Sequence, residues 1–171
     1  SAGGQTSLQY PGKVKAAQDI SLAFRVSGTI QKIYVKDGAR VQAGQLLAEL
    51  DPTDYQVQLD ATEAEYKQIK AEAERVMALY KDNGTTPNAN DKAVYGLKQI
   101  TAKYRHHKDQ LGYTRLYAPF SGYIQKRLFE AHETVGAGMP VLSMISNSAP
   151  EVEINLPAAE YIRSEQFDRY R

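Results

Sequence analysis

"SGTIQKIYVKDGARVQAGQLLAEL" (Ser27–Leu50) is followed, further along the chain, by "SGYIQKRLFEAHETVGAGMPVLSM" (Ser121–Met144). At a shift of 94 residues and without gaps, Ser27, Gly28, Ile30, Gln31 and Lys32 meet Ser121, Gly122, Ile124, Gln125 and Lys126. Val41, Ala43 and Gly44 then meet Val135, Ala137 and Gly138, Leu47 meets Val141, and Leu50 meets Met144. One such segment carries little information. Two in register, near 23–50 and 118–145, make an internal repeat that any fold of this chain must explain.

Each copy reads as β-structure. In "GTIQKIYV" the apolar residues are spaced for a half-buried strand, with Ile30, Ile33 and Val35 as candidate inward positions. Asp37-Gly38 and Ala43-Gly44 supply turns between short strands. The second copy repeats the scheme in "YIQKRLF", "EAHETV" and "GMPVLSMI", where Pro140 suits the start of a strand. Short strands between glycine turns predict a small sandwich. Each half is too short to bury both of its faces alone, so the two halves are expected to face each other.

The middle of the chain changes period. Asp51 is a candidate N-cap and Pro52 fits the first helical position. Tyr55, Leu59, Thr62, Tyr66, Ile69, Ala73, Val76 and Tyr80 then follow at alternating spacings of four and three, the seam of a heptad helix. "NGTTPNAN" breaks it, and the seam resumes with Ala93, Leu97, Ile100, Tyr104, His107, Leu111 and Thr114. The pattern predicts an antiparallel helical hairpin, its first helix reaching roughly 45 Å, with Gly96 and Gly112 as weak points of the second. Acidic residues dominate the first helix and basic ones the second. Such flanks favour pairing within the hairpin or between neighbouring copies, against the plainer reading of two solvated faces.

Composition excludes several classes. The chain has 171 residues and a net charge of +1, so no global field draws it to nucleic acid. It contains no cysteine, which removes disulfide frameworks, zinc–cysteine sites and thiol chemistry. No apolar run approaches the ~20 residues of a membrane span. "SAGGQTS" lacks the basic start and apolar stretch of a signal peptide, so a mature or trimmed chain is expected. The last residues, "EYIRSEQFDRYR", close no recognisable pattern, and the protein is expected to continue. No nucleophile motif, phosphate loop or dinucleotide fingerprint occurs, so an enzyme is not expected. His106 and His107 are adjacent and face apart on a helix, His107 lies on the seam, and His132 falls opposite Gly38 in a turn; no metal site is expected.

The repeat resembles the two halves of a lipoyl/biotinyl domain. With a heptad hairpin between the halves and "YAPFSG" directly after it, the chain resembles the periplasmic adaptors, or membrane fusion proteins, of tripartite efflux pumps. The resemblance implies an α+β multi-module chain: a two-halved lipoyl-like β-sandwich interrupted by a long antiparallel α-helical coiled-coil hairpin, plus part of a β-barrel domain. The expected boundaries are 1–22 for the N-terminal part of the barrel module, 23–51 for the first half, 52–116 for the hairpin with its tip near 82–90, 117–147 for the second half, and 148–171 for the return to the barrel, where "EVEINL" is strand-like and Pro157 opens a short helix signal. It further implies a non-enzymatic protein without cofactor. Such a protein sits in the periplasm, anchored to the inner membrane in full-length form, and self-associates into a ring. It bridges an inner-membrane resistance-nodulation-division transporter and an outer-membrane channel for the efflux of small molecules, or serves an ATP-driven or heavy-metal exporter. The family's tip motif falls on Arg75, Leu79 and Thr86, with Thr in place of Ser. The rival implied by the same repeat is a prosthetic-group carrier. Aligned from Gly44, its attachment Lys falls on Asp54, and no Lys occurs between Lys36 and Lys67.

Overall fold

The computed structural model describes residues 19–146 in full and, of the flanking chain, the strand pairing at 14–15 and 151–152. The elements are β1 (Val14–Lys15), β2 (Asp19–Ala23), β3 (Gly28–Ile33), β4 (Arg40–Val41), β5 (Leu46–Leu50), α1 (Thr53–Lys81), α2 (Pro87–Gly112), β6 (Arg115–Tyr117), β7 (Gly122–Arg127), β8 (Thr134–Val135), β9 (Pro140–Ser146) and β10 (Glu151–Val152).

The strands form two four-stranded sheets, ordered β2-β9-β7-β4 and β6-β5-β3-β8. This corrects the expectation of two halves facing each other, because each sheet takes strands from both. A shift of 94 residues turns β2 into β6, β3 into β7, β4 into β8 and β5 into β9, so it carries one sheet onto the other. Even the irregularities are doubled: the register break between Ile30 and Lys32 recurs between Ile124 and Lys126. Interleaving solves the problem of short strands. Neither half can satisfy its edges alone, and each supplies what the other lacks.

The exchange is visible bond by bond. Gly38 N–H donates to Ile124 O at 2.7 Å, and His132 N–H donates to Ile30 O at 2.7 Å. Ile30 N–H reaches Glu133 O as Ile124 N–H reaches Ala39 O, and Gly44 N–H reaches Ala118 O as Gly138 N–H reaches Phe24 O. These turns need left-handed backbone. Gly38 has φ 85°, and its counterpart His132 has φ 77°. A non-glycine residue pays a steric penalty there of about 1–2 kcal/mol.

The core repeats too, with compensating volumes. Ile30 and Ile124, Val41 and Val135, Leu47 and Val141, and Leu50 and Met144 are buried pairs. Phe24 is opposed in the repeat by Ala118, and Ala48 by Leu142, so a large residue in one half accompanies a small one in the other. Of the three candidate inward residues, Ile30 and Val35 are buried and Ile33 is half-buried. The expected boundary after residue 22 falls inside β2, which pairs with β9 within the sandwich. The barrel assignments of 1–22 and 148–171 otherwise lie outside the described residues, apart from the antiparallel contact of Val14 with Val152 and of Lys15 with Glu151.

The arm leaves from one particular place. β5 ends at Leu50 and α1 begins at Thr53; α2 ends at Gly112 and β6 begins at Arg115. The shift of 94 relates this exit, Asp51 and Tyr113, to Ile145 and Asp19, which are register partners at the other open end of the sandwich. The chain continues from there to the β1–β10 pair. The pseudo-symmetric sandwich thus has two equivalent mounting points, one carrying the helices and the other the flanking strands.

Two substitutions probe this fold. His132→Gly removes the left-handed strain from an exposed turn residue and is expected to gain about 1 kcal/mol in urea or thermal unfolding. Leu47→Ala empties a fully buried site and is expected to cost about 2–5 kcal/mol. A His132→Gly protein no more stable than the parent would contradict the strain assigned to that turn.

Candidate functional site: a helical arm and its base

α1 starts one residue later than expected, and Asp51 still tethers its start. The Asp51 carboxylate accepts from Thr53 Oγ1 (2.6 Å) and from Thr53 N–H (3.0 Å). These bonds favour the ionised form and hold its carboxyl below the usual carboxylate range. Asp54 follows in the first turn, where negative charge suits the helix dipole. The position where a carrier would hold its Lys, Asp54, is therefore in the exposed first turn of a helix, four residues beyond the end of β5.

The arm is bolted down on both sides. Tyr55 opens the heptad seam, yet its hydroxyl donates to Ser27 O in the β2–β3 turn at 2.6 Å. Arg25, from the same turn, lies over the Tyr113 ring at 4.0 Å. Leu50 N–H donates to Thr114 O and Asp51 N–H to Thr29 O, both at 2.8 Å. Thr114 is buried and donates to Leu111 O at 2.6 Å. Sequence reasoning placed Tyr55 and Thr114 on the seam and missed these contacts. No local pattern marks a tyrosine hydroxyl aimed at a turn 28 residues away.

Along the arm the helices run antiparallel. Tyr66 stacks on Tyr104 with centroids 4.6 Å apart, and Lys103 reaches Glu65 at 3.3 Å. Thr62 Oγ1 donates to Gln58 O, so His107 Nδ1–H donates to Thr62 Oγ1, at 2.6 Å. The buried residues of the arm, Thr62, Ala73 and Ile100, all fall on the predicted seam. Gly96 is accommodated inside a continuous α2, and Gly112 ends it.

The three tip candidates lie at the far end, but not as one cluster of free groups. Arg75 is exposed and joins no ion pair among the described residues. Leu79, one turn on, is 52% exposed, and its carbonyl accepts from Asp82 and Gly84 N–H as α1 ends. Thr86 is the N-cap of α2: its Oγ1 accepts from Ala89 N–H at 3.1 Å, and Pro87 occupies the first helical position. α2 therefore begins inside the stretch expected as tip. Thr86 has a structural task whatever else it does, and a Ser would serve the cap equally.

The base gives a pH-dependent prediction. Asp51 has a lowered folded pKa, so its contribution is present above the unfolded carboxylate pKa, about 3.9, and is lost as pH falls through the folded value. Stability measured from pH 6 down to pH 2 is expected to fall less steeply in Asp51→Asn than in the parent. Equal slopes would contradict the assignment. Tyr55→Phe is expected to cost about 1 kcal/mol and to speed amide exchange at the foot of α1.

Comparison with known proteins places this geometry. A family model described as the barrel-sandwich hybrid domain of RND membrane fusion proteins matches residues 18–148. The solvent efflux pump periplasmic linker SrpA of Pseudomonas putida is 33% identical over 118 residues, covering 69% of this chain and 31% of that protein. The efflux pump periplasmic linker BepF of Brucella suis biovar 1 is 29% identical over 167 residues, covering 90% of this chain and 40% of that one. A crystal structure of a putative efflux transporter from Bacteroides eggerthii superposes with a TM-score of 0.76 at 32% identity, over 79% of this chain and 41% of that one. The chain thus spans 31–40% of the length of these two curated linkers. The family is one of adaptors, not enzymes. By the match over its doubled sandwich and inserted arm, this chain belongs to the RND membrane fusion proteins, as their barrel-sandwich hybrid domain.

Proposed function

We propose that the chain is the reaching segment of a periplasmic adaptor that bridges an inner-membrane resistance-nodulation-division transporter to an outer-membrane channel for the efflux of small molecules. The arm carries this reading. Twenty-nine residues of α1, about 45 Å at 1.5 Å per residue, stand on a sandwich whose β2–β3 turn fixes the foot of both helices, through Tyr55 of α1 on Ser27 O and through Arg25 over Tyr113 at the end of α2. A seam of half-buried residues, with Tyr66 on Tyr104, supports a long antiparallel coiled coil. The relatives named as efflux periplasmic linkers support the compartment and the role.

In this account the arm points to the channel, the sandwiches stand side by side in a ring around a duct, and the flanking module docks on the transporter. The full-length protein is held at the inner membrane. Arg75 offers a planar donor fork to a carbonyl or carboxylate of the channel, Leu79 an apolar contact, and Thr86 its hydroxyl proton while its oxygen caps α2. The Arg75 guanidinium, in no ion pair among the described residues, and the half-exposed Leu79 side chain support the assignment.

Arg75→Asp in the full-length adaptor is expected to restore drug sensitivity in a strain that depends on it, with an unchanged melting temperature. Thr86→Ser is expected to keep resistance, and Thr86→Ala to lose about 1 kcal/mol of stability. Full resistance in Arg75→Asp would remove the tip from the account. Co-expression with lipoyl and biotin ligases is expected to leave the intact mass unchanged, because Asp54 stands at the carrier position.

A further inference from the structure

The way α1 ends places a chemically labile pair of residues at the far end of the arm. Asn83 has φ 61°, the left-handed conformation that asparagine tolerates better than most side chains. Its N–H donates to Tyr80 O at 3.0 Å, and Gly84 N–H donates to Leu79 O at 2.7 Å, the two bonds of a Schellman cap. A side chain at 84 would be cramped: a Cβ there would stand 3.2 Å from Leu79 O and 3.3 Å from Leu79 Cδ2. The cap therefore favours asparagine at 83 and glycine directly after it. In that order the two residues form the step in which no following side chain shields an asparagine amide from the next backbone nitrogen. Both are exposed to water. The other four asparagines of the chain, Asn88, Asn90, Asn147 and Asn155, precede Ala, Asp, Ser and Leu.

The reaction open to such a step balances with water alone. The Gly84 nitrogen gives up its proton and attacks Cγ of Asn83. A bond forms between that nitrogen and Cγ, the carbon–nitrogen bond of the side-chain amide breaks, and its nitrogen leaves with the proton as ammonia. Water then opens the cyclic imide. Addition at Cγ gives aspartate, and addition at the main-chain carbonyl gives isoaspartate, whose backbone runs through Cγ. Nothing is oxidised or reduced. The intact cap opposes the first step, because the Gly84 N–H that must turn towards Cγ is committed to Leu79 O.

We propose that Asn83 is a self-modification site gated by the C-terminal cap of α1, converting to aspartate and isoaspartate while the last turn of the helix is open. Helix ends open far more readily than helix centres, so the folded protein converts, and does so more slowly than the free chain. The two products act differently on the arm. Aspartate keeps a residue that tolerates the left-handed conformation, but adds a carboxylate beside Asp82 at the negative end of the helix dipole. Isoaspartate lengthens the backbone by a methylene and so breaks the register of both cap bonds. The site is independent of the bridging role.

A time course in mildly alkaline buffer tests this, with each asparagine followed by peptide mapping and isoaspartate read by enzymatic methyl labelling. Asn83 is expected to convert in the folded chain ahead of the other four asparagines. Unfolding in guanidinium is expected to speed its conversion by about tenfold. Ala78→Gly, an exposed change that loosens the last turn without touching the reacting atoms, is expected to raise the folded rate by about fivefold and to leave the unfolded rate unchanged. Asn83 that stays intact in the folded chain, or converts no faster than the other asparagines once unfolded, overturns the site. A folded rate equal to the unfolded one, or unmoved by Ala78→Gly, overturns the gating by the cap.

Discussion

The two backbone bonds from Gly38 to Ile124 and from His132 to Ile30 hold the halves of this protein in each other's sheets. Everything else depends on that exchange. A lone copy of the repeat has short strands, open edges and one layer of apolar residues. Two copies that trade strands close the edges, bury Ile30 and Ile124 in one core, and yield a platform from a single pattern used twice. The 94-residue separation matters little to this closure, because loop-closure entropy grows slowly with length and much of the intervening chain is helix.

Pseudo-symmetry also explains where the modules attach. A sandwich with a two-fold pattern has two equivalent openings. The helices fill one, at Asp51 and Tyr113, and the flanking strands follow from the other, at Ile145 and Asp19. A domain of this kind connects, because it presents two fixed ends to two different neighbours. The tethers at the arm's foot show where rigidity is placed. Tyr55 and Arg25 link the helices to the β2–β3 turn, so a displacement at the tip reaches the sandwich through few joints. Rigidity suits the bridging role proposed for the chain.

The repeat and the heptad seam were both legible from residue spacing alone, since period and register survive without knowledge of contacts. The interleaving was not. Both arrangements, halves facing and halves exchanged, bury the same alternating residues, and only the backbone pairing between halves, such as that of Gly38 and His132, tells them apart. The foot of the arm was hidden for a similar reason. Tyr55 satisfies the heptad rule, so nothing in its spacing announced a bond to Ser27. At the tip, Arg75 and Leu79 are exposed, whereas Thr86 is a helix cap, a duty that Thr and Ser perform alike. A motif residue with a local structural role is where sequence matching to a functional pattern is least informative.

Excision of the arm tests most directly the claim that a self-sufficient doubled sandwich carries it. β5 and β6 are antiparallel neighbours, and Leu50 N–H already donates to Thr114 O, so an Asn-Gly turn can join them in place of residues 52–112. The account predicts that this shortened protein unfolds in one cooperative transition and keeps slow amide exchange at Ile30, Ile124, Gly38 and His132. A protein without a cooperative transition, or with those amides exchanging freely, would show that the helices build the sandwich instead of standing on it.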